Sequence, residues 1–308
     1  MTAPTTPSVT VVVPVWDAYV HRLAAALASI QSQDASAKII LVDNASRTPL
    51  PLPHRGGDGV EVLRSERRLT AGGARNLGLS AVESEYVIFW DADDEMCPGT
   101  LPLLHASIEQ DPGLTTFATA ILESESGPRH RWPRLWMRGL ARVPRMFALA
   151  NAVWPLYPTT GSAIMRTSLV KDAGGCADLD RGEDALLAAS LAFRGRVGFS
   201  PRPGRIYRRH ARSLSANALG LRESLAQRRA VRVRLREDPG VPAFAKRLLP
   251  AIALLQLAAV FLLRPAFIAA RWAKRRASLS LGASRKRPAL FPRAKPSDEG
   301  GARAQQDR

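Results

Sequence analysis

In the first third of the chain, short β-branched apolar runs alternate with stretches whose apolar residues recur every three or four positions. Val9-Thr10-Val11-Val12-Val13, closed by Pro14, predicts a buried strand. Val20, Leu23, Leu27 and Ile30 then share one face of a helix, with Asp17 placed to cap its start. Lys38 to Val42 predicts a second strand, and the turn formers Asp43-Asn44-Ala45-Ser46 stand just past its carboxyl end. A loop rich in Pro and Gly leads to a short strand near Val60 to Leu63, and Ala71 to Val82 predicts a helix.

Tyr86-Val87-Ile88-Phe89-Trp90 is apolar throughout and predicts a central strand, ending in Asp91-Ala92-Asp93-Asp94-Glu95. Pro98 suits the first turn of a further helix through Leu101, Leu104 and Ile108, stopped by Asp111-Pro112-Gly113. Strands alternating with helices predict an α/β fold with a mostly parallel sheet covered on both faces. Such sheets bind ligands beyond the carboxyl ends of their strands, where both acidic clusters fall.

Composition divides the 308 residues unevenly. Residues 1 to 201 carry 19 Lys/Arg and 21 Asp/Glu, whereas residues 202 to 308 carry 25 and 6. The net charge of +17 is therefore a property of the C-terminal third, which is attracted to polyanions. Two cysteines, Cys97 and Cys176, without a CxxC pair or a His/Cys cluster, support neither a disulfide framework nor a structural zinc site. No secretory signal is expected, because the opening MTAPTTPSVTVVVPVW lacks a charged start and a long apolar core. A reducing cytoplasmic setting follows as the expectation.

Asp91-Ala92-Asp93 places two carboxylates on one side of an extended segment. That spacing suits a hard divalent cation, Mg²⁺ or Mn²⁺, bridging carboxylates to substrate phosphates, and suits equally an acidic turn that caps the next helix. The surroundings extend the pattern. Val11-Val12-Val13-Pro14-Val15-Trp16-Asp17, Val42-Asp43-Asn44-Ala45-Ser46 and Ala74-Arg75-Asn76-Leu77-Gly78 precede Glu85 to Asp94. Gly161 to Arg166, Gly174-Gly175, Gly182-Glu183-Asp184 and Tyr207-Arg208-Arg209-His210 follow it. In this order and spacing, over about two thirds of the chain, the sequence resembles the inverting family-2 glycosyltransferases of the GT-A fold.

The resemblance implies a nucleotide-sugar donor held near Pro14, Asp43, Arg75 and Asp91. Asp43 would accept a hydrogen bond from a pyrimidine base, and Arg75 would lie near the donor phosphates. Asp91, Asp93 and His210 would serve the metal. Asp184 would act as the base that takes the acceptor proton, with Glu183 supporting it or touching the acceptor. Acids at the start of the helix from Asp184 to Phe193 are also favoured by its dipole. Asn44-Ala45-Ser46 replaces the family's common acidic-Gly-Ser turn, Thr48 a following acid, and Asp17 the usual Asn. A UDP donor is therefore favoured over dTDP or GDP without being fixed.

Between the acidic clusters, six arginines from Arg129 to Arg145 are interleaved with Trp132, Trp136 and Phe147. Such a segment either grips a phosphorylated acceptor or membrane interface, or is a solvated loop with packing tryptophans. The apolar stretch Leu248 to Leu263 contains Pro250 and Gln256, runs into Arg264-Pro265, and is short for a bilayer span. Lying in the membrane plane, packing on the domain and spanning all stay open.

The expected organisation is a GT-A-like domain over 7–215, a basic and apolar helical appendage over 216–276, and a disordered tail over 277–308. The expected partners are a nucleotide sugar, a glycan or lipid-linked acceptor of the cell envelope, and an anionic membrane surface at its inner face. A nucleotidyltransferase is disfavoured by the lack of a Gly-rich loop after Val15. The alternative from another class is a non-catalytic membrane- or nucleic-acid-binding protein on the same scaffold. The basic third shows no zinc-finger or RNP-like signature, which argues against a nucleic-acid partner.

Overall fold

The computed structural model describes residues 8–17, 19–48, 50, 59–123, 129–132, 135–179, 181–207 and 221–258. The first strand, β1 (Val9–Val15), pairs in parallel with β2 (Lys38–Asn44) and with β4 (Tyr86–Phe89), and β2 pairs in parallel with β3 (Val60–Ser65). All of these are runs the apolar pattern predicts. Alternate residues of the buried strands then serve opposite faces of the sheet. Val11, Val13, Ile39, Leu41, Ile88 and Trp90 pack with α1 (Val20–Gln31) and α3 (Thr100–Glu109). Val12, Ile40, Val42, Val87 and Phe89 pack with α2 (Ala71–Ser80), α6 (Thr167–Asp172) and α7 (Glu183–Arg194).

Beyond β4 the sheet becomes mixed. Strand β8 (Ala163–Arg166) runs antiparallel to both β4 and β6 (Leu114–Glu123), while β9 (Arg196–Tyr207) is parallel to β6. The short β5 (Glu95–Met96) and β7 (Arg129–Trp132) add antiparallel edges, giving the order β3-β2-β1-β4-β8-β6-β9-β5 with β7 on β6. Parallel pairing thus dominates the first half only. Register along the chain of β1, β2 and β4 sets Val15 beside Asp43 and Val12 beside Phe89, so the turns after these strands emerge at one edge.

Two local expectations change. Tyr19, not Asp17, caps α1, because the Asp17 carboxylate accepts bonds from the Arg47 backbone N–H (2.9 Å) and Nε (3.0 Å). Pro98 stays outside α3, which starts at Thr100 after Gly99 in a left-handed conformation.

The compact unit extends to Ala258, past the change in composition at 216. Helix α8 (Leu221–Glu237) and a helix over 243–258, named α9, pack on α5 (Pro144–Val153) and α7 through Val231, Leu235, Ala245, Leu249 and Ile252. Arg194 of α7 grips Asp238 with both guanidinium nitrogens, at 2.5 and 2.7 Å. Leu249, Ile252 and Gln256 recur along the buried face of α9, whereas Leu248, Leu254, Leu255 and Leu257 are exposed. One face of the apolar stretch therefore packs on the domain. No helix among the described residues is long and apolar enough to cross a membrane. The remainder of that stretch, from Ala259 onward, and the tail lie outside the described residues.

Within the Arg/Trp segment, Phe147 is core, packed near Tyr157 and Phe199, while Trp136 on α4 (Leu135–Ala141) is half exposed.

Candidate active site at the strand ends

The loop after β2 is built around its own polar side chains. Asp43 is buried, its Oδ1 accepts the Ser46 N–H at 3.0 Å, and its Oδ2 pairs with Arg64 of β3. Arg64 also donates to the Ser46 carbonyl at 2.9 Å. Ala45 takes a left-handed φ of 56° to close this turn. Asn44 spans to the next element, accepting from the Leu69 N–H (2.7 Å) and donating to its carbonyl (2.9 Å), which fixes the entry to α2.

Helix α2 begins at Thr70, whose hydroxyl accepts the Gly73 N–H at 3.0 Å. Gly72 is required by close approach, since a Cβ there would overlap the Ala177 carbonyl group. Asn76 then clamps Cys176, donating to its carbonyl and accepting its N–H, both at 2.8 Å. Together these contacts draw the segment before α7 against α2. The result is that Arg75, buried between them, reaches two carboxylates: Nη1 donates to Glu183 Oε1 at 2.6 Å and Nη2 to Asp91 Oδ1 at 2.7 Å.

Asp91 stands at the end of β4, and its second oxygen accepts Arg205 Nη2 at 2.7 Å. Arg205, on β9, also pairs with the fully buried Asp94 and donates to the Thr160 carbonyl at 2.9 Å. Burial works against a charged Asp91, but Arg205 and Arg75 outweigh it and hold its carboxyl below the usual range. Asp93 is half-buried, and its charge, with that of Asp91, reaches Tyr19. The Tyr19 hydroxyl is pushed up to about 12, first by burial and then by those carboxylates.

No group of three or more His, Cys, Asp or Glu side chains suited to a metal is found among the described residues. Both Asp91 oxygens are engaged by guanidinium groups, and Asp91 and Asp93 are each partly exposed. A magnesium-type ion that takes one or two protein carboxylates and completes its shell with substrate phosphate fits that arrangement. His210 lies outside the described residues.

The second acidic pair opens α7 after Gly182 in a left-handed conformation. Glu183 is buried, and its carboxyl is raised to about 7 by burial and then by Asp184, against the opposing charge of Arg75. Asp184 is likewise raised by burial, although Arg75 and the Ala185 N–H, which donates to its Oδ1 at 2.8 Å, lower it. Two adjacent acids at one helix start, both raised by burial, form a pair able to take up a proton.

Of the residues the sequence groups into one site, Asp43, Arg75, Asp91, Glu183 and Asp184 lie at the strand-end edge, where Arg75 joins Asp91 to Glu183. Pro14 sits in β1 beside Val42. Arg75 is not a helix-surface arginine. Missed residues are Arg205 and Arg64, while Asn44 and Asp94 are named only within motifs and without the contacts they make. No local signal marks Arg205, because Pro201-Arg202-Pro203-Gly204 before it does not read as a strand.

The fold is shared with solved glycosyltransferase structures. TarS residues 1–349 from S. aureus in complex with UDP-GlcNAc matches with a TM-score of 0.62 and 19% identity, covering 82% of this chain and 72% of that one. The corresponding UDP complex matches with a TM-score of 0.61 at 19% identity, covering 82% and 71%. A longer S. aureus TarS structure matches with a TM-score of 0.55 at 20% identity, covering 82% of this chain and 43% of that chain. No curated protein sequence matches. Residues 10–173, just over half the chain, match the family model described as Glycosyl transferase family 2, and the protein therefore belongs to that family of glycosyltransferases.

Proposed function

We propose that this glycosyltransferase is an inverting enzyme that moves a sugar from a nucleotide-sugar donor to a glycan or lipid-linked acceptor of the cell envelope. The observation that carries the reading is Arg75, which joins the Asp91 carboxylate at the end of β4 to Glu183 at the start of α7. It links the expected donor side of the site to its acid pair. A UDP sugar is the favoured donor, supported by the similar TarS structures solved with UDP-GlcNAc and UDP.

Asp43 is assigned to the base of the nucleotide. Its carboxylate retains acceptor capacity beyond the bonds to Ser46 and Arg64, and Arg64 is exposed enough to yield to a ligand. Asp93 would hold a Mg²⁺ or Mn²⁺ ion, which when bound supplies positive charge to the donor diphosphate. Asp91 is assigned to keeping Arg75 and Arg205 in place beside that group.

In transfer, the acceptor hydroxyl oxygen bonds to the anomeric carbon as the bond to the diphosphate oxygen breaks. The hydroxyl proton passes to the Asp184 carboxylate, and the nucleotide diphosphate leaves with the bonding pair. Glu183, held by Arg75, keeps the acid pair oriented, and burial raises both carboxyls, which favours proton uptake.

The apolar outer face of α9, with the basic sequence from Arg264 to Arg276 beyond it, supports contact with an anionic membrane surface at the cytoplasmic side. The test of the reaction is product stereochemistry. Proton NMR of early product from an α-linked donor is expected to show the β anomer; retention of the α configuration would overturn inversion.

A further inference from the structure

Exposed large apolar side chains are concentrated on one part of the fold. Among the described residues, all of them except Val62 lie on, or directly beside, α4, α5, α8 or α9. Trp136, Val143 and Met146 are each more than half exposed, whereas Phe147, the next residue, is 2% exposed in the core. The corner between α4 and α5 therefore turns one set of large apolar side chains outward while burying another. Single exposed apolar residues are ordinary, but a cluster of them marks a contact surface.

This corner meets α9. The Arg145 guanidinium lies 6.0 Å from the Phe244 ring centroid. Phe244 in turn opens an exposed stripe on α9 that continues through Leu248 and Leu255 at helical spacing. The outward side chains of α5 and α9 are thus neighbours.

Charge selects the partner. Arg138, Arg142, Arg145 and Arg247 are exposed, and none pairs with a carboxylate among the described residues. No Asp or Glu occurs from residue 126 to 171 or from 239 to 297, the two stretches that supply α4, α5 and α9. A second copy docked through the same face would set these arginines against their own counterparts, which like-charge repulsion opposes. A bilayer containing anionic lipid answers both features. Trp favours the headgroup zone, Arg pairs with lipid phosphate while its stem stays among apolar groups, and Met and Val enter the acyl boundary.

We infer that the α4–α5 corner docks on an anionic bilayer, inserting Trp136, Val143 and Met146 and setting Arg138, Arg142 and Arg145 among the headgroups. This second contact rests on the membrane reading proposed for α9. Held by α9 alone, the domain would be free to roll about that helix; the corner removes this freedom. Helix α5 packs through Phe147 and Ala148 against Ala188 and Ala192 of α7, the helix that opens with Glu183 and Asp184. Both contacts together therefore hold the acid pair at a fixed height above the lipid, as a lipid-linked acceptor requires.

The test uses the full chain carrying an environment-sensitive fluorophore on Met146→Cys, with Val62→Cys on β3 as the exposed apolar control. Native Cys97 and Cys176 are buried, so the introduced thiol takes the label. Vesicles of equimolar phosphatidylglycerol and phosphatidylcholine, with and without nitroxide-bearing lipid, are compared with phosphatidylcholine alone. The expected result is a blue shift and nitroxide quenching at position 146 on the anionic vesicles, with neither at position 62. In sedimentation, Arg142→Glu with Arg145→Glu is expected to weaken binding to the same vesicles about thirtyfold or more, with circular dichroism showing the fold intact.

A protein that sediments with anionic vesicles while position 146 stays silent, or while the double variant binds as tightly as the wild type, overturns the inference and leaves the α9 contact standing. A wild type that does not sediment removes the membrane reading itself. A shift at position 146 without vesicles that grows with protein concentration assigns the corner to a second copy, and one produced by glycerol phosphate assigns it to a soluble phosphate carrier; either result overturns the inference.

Discussion

Arg205 provides the sharpest energetic test of how the strand-end site is held together. Its side chain is only 7% exposed and satisfies Asp91, Asp94 and the Thr160 carbonyl at once. Arg205→Met keeps apolar bulk and removes the charge. Asp91 retains Arg75, but Asp94, whose side chain is wholly buried, loses the guanidinium that faces it. Removing one member of a buried ion pair costs about 3–5 kcal/mol, because the charge left behind has been desolvated. For a domain of this size each kcal/mol moves the melting temperature by about 2–4 °C, so a fall of roughly 10 °C is expected.

Urea unfolding of the wild type, Arg205→Met, Asp94→Asn and the double variant measures this as a cycle. The double variant should recover part of the loss, since the buried group is then neutral. Arg205→Lys, with the charge but not the fork, should fall between. A loss below about 1 kcal/mol for Arg205→Met, or additive single effects, would refute the pairing.

Other consequences are equally open to measurement. Glu183 binds its proton more tightly folded than unfolded, its carboxyl being raised from 4.5 to about 7, so its contribution makes stability fall as pH rises across that interval. Glu183→Gln should flatten this slope when urea midpoints at about pH 5 and about pH 8 are compared; an unchanged slope would contradict the shift. Asp184→Asn should lower turnover by roughly 10²–10⁴ with the donor still bound, as separate rate and binding assays would show. Gly72→Ala should destabilise by about 2 kcal/mol or more, read by thermal melting, because its Cβ meets backbone rather than a movable side chain. Replacing Leu254 and Leu255 together by Glu should weaken sedimentation with anionic vesicles by about a hundredfold, each leucine contributing about 1.5 kcal/mol or more when buried.

The parallel half of the sheet was legible because its information is local. Val11 to Val13, Ile39 to Val42 and Tyr86 to Phe89 are continuous apolar runs, and a strand buried on both faces admits little else. The acids at the strand ends were legible by position, because ligands of such sheets bind beyond the carboxyl ends of the strands. What stayed hidden was set by distant partners. Nothing near Asp91 announces that its oxygens face Arg75 and Arg205, which lies 114 positions away, so an apparent two-carboxylate metal site is in part an ion-pair network.

Asp17 looked like a helix cap by position, yet Arg47, 30 residues on, claims its carboxylate. The antiparallel turn of β8 likewise depends on contacts with β4 and β6 that no short window contains. The apolar stretch after 248, broken only by Pro250 and Gln256 before Arg264, does not announce which side packs, and helical geometry splits it between a packed face and an exposed one.

The most direct measurement is turnover of a nucleotide-sugar panel by the purified protein with Mn²⁺ or Mg²⁺, beside Asp93→Asn and Asp184→Asn. Metal-dependent release of a nucleotide diphosphate from one donor, lost in both variants while Asp184→Asn still binds that donor, is the predicted result. Equal release by wild type and Asp184→Asn, or no nucleotide bound by the wild type with either metal, would contradict the account.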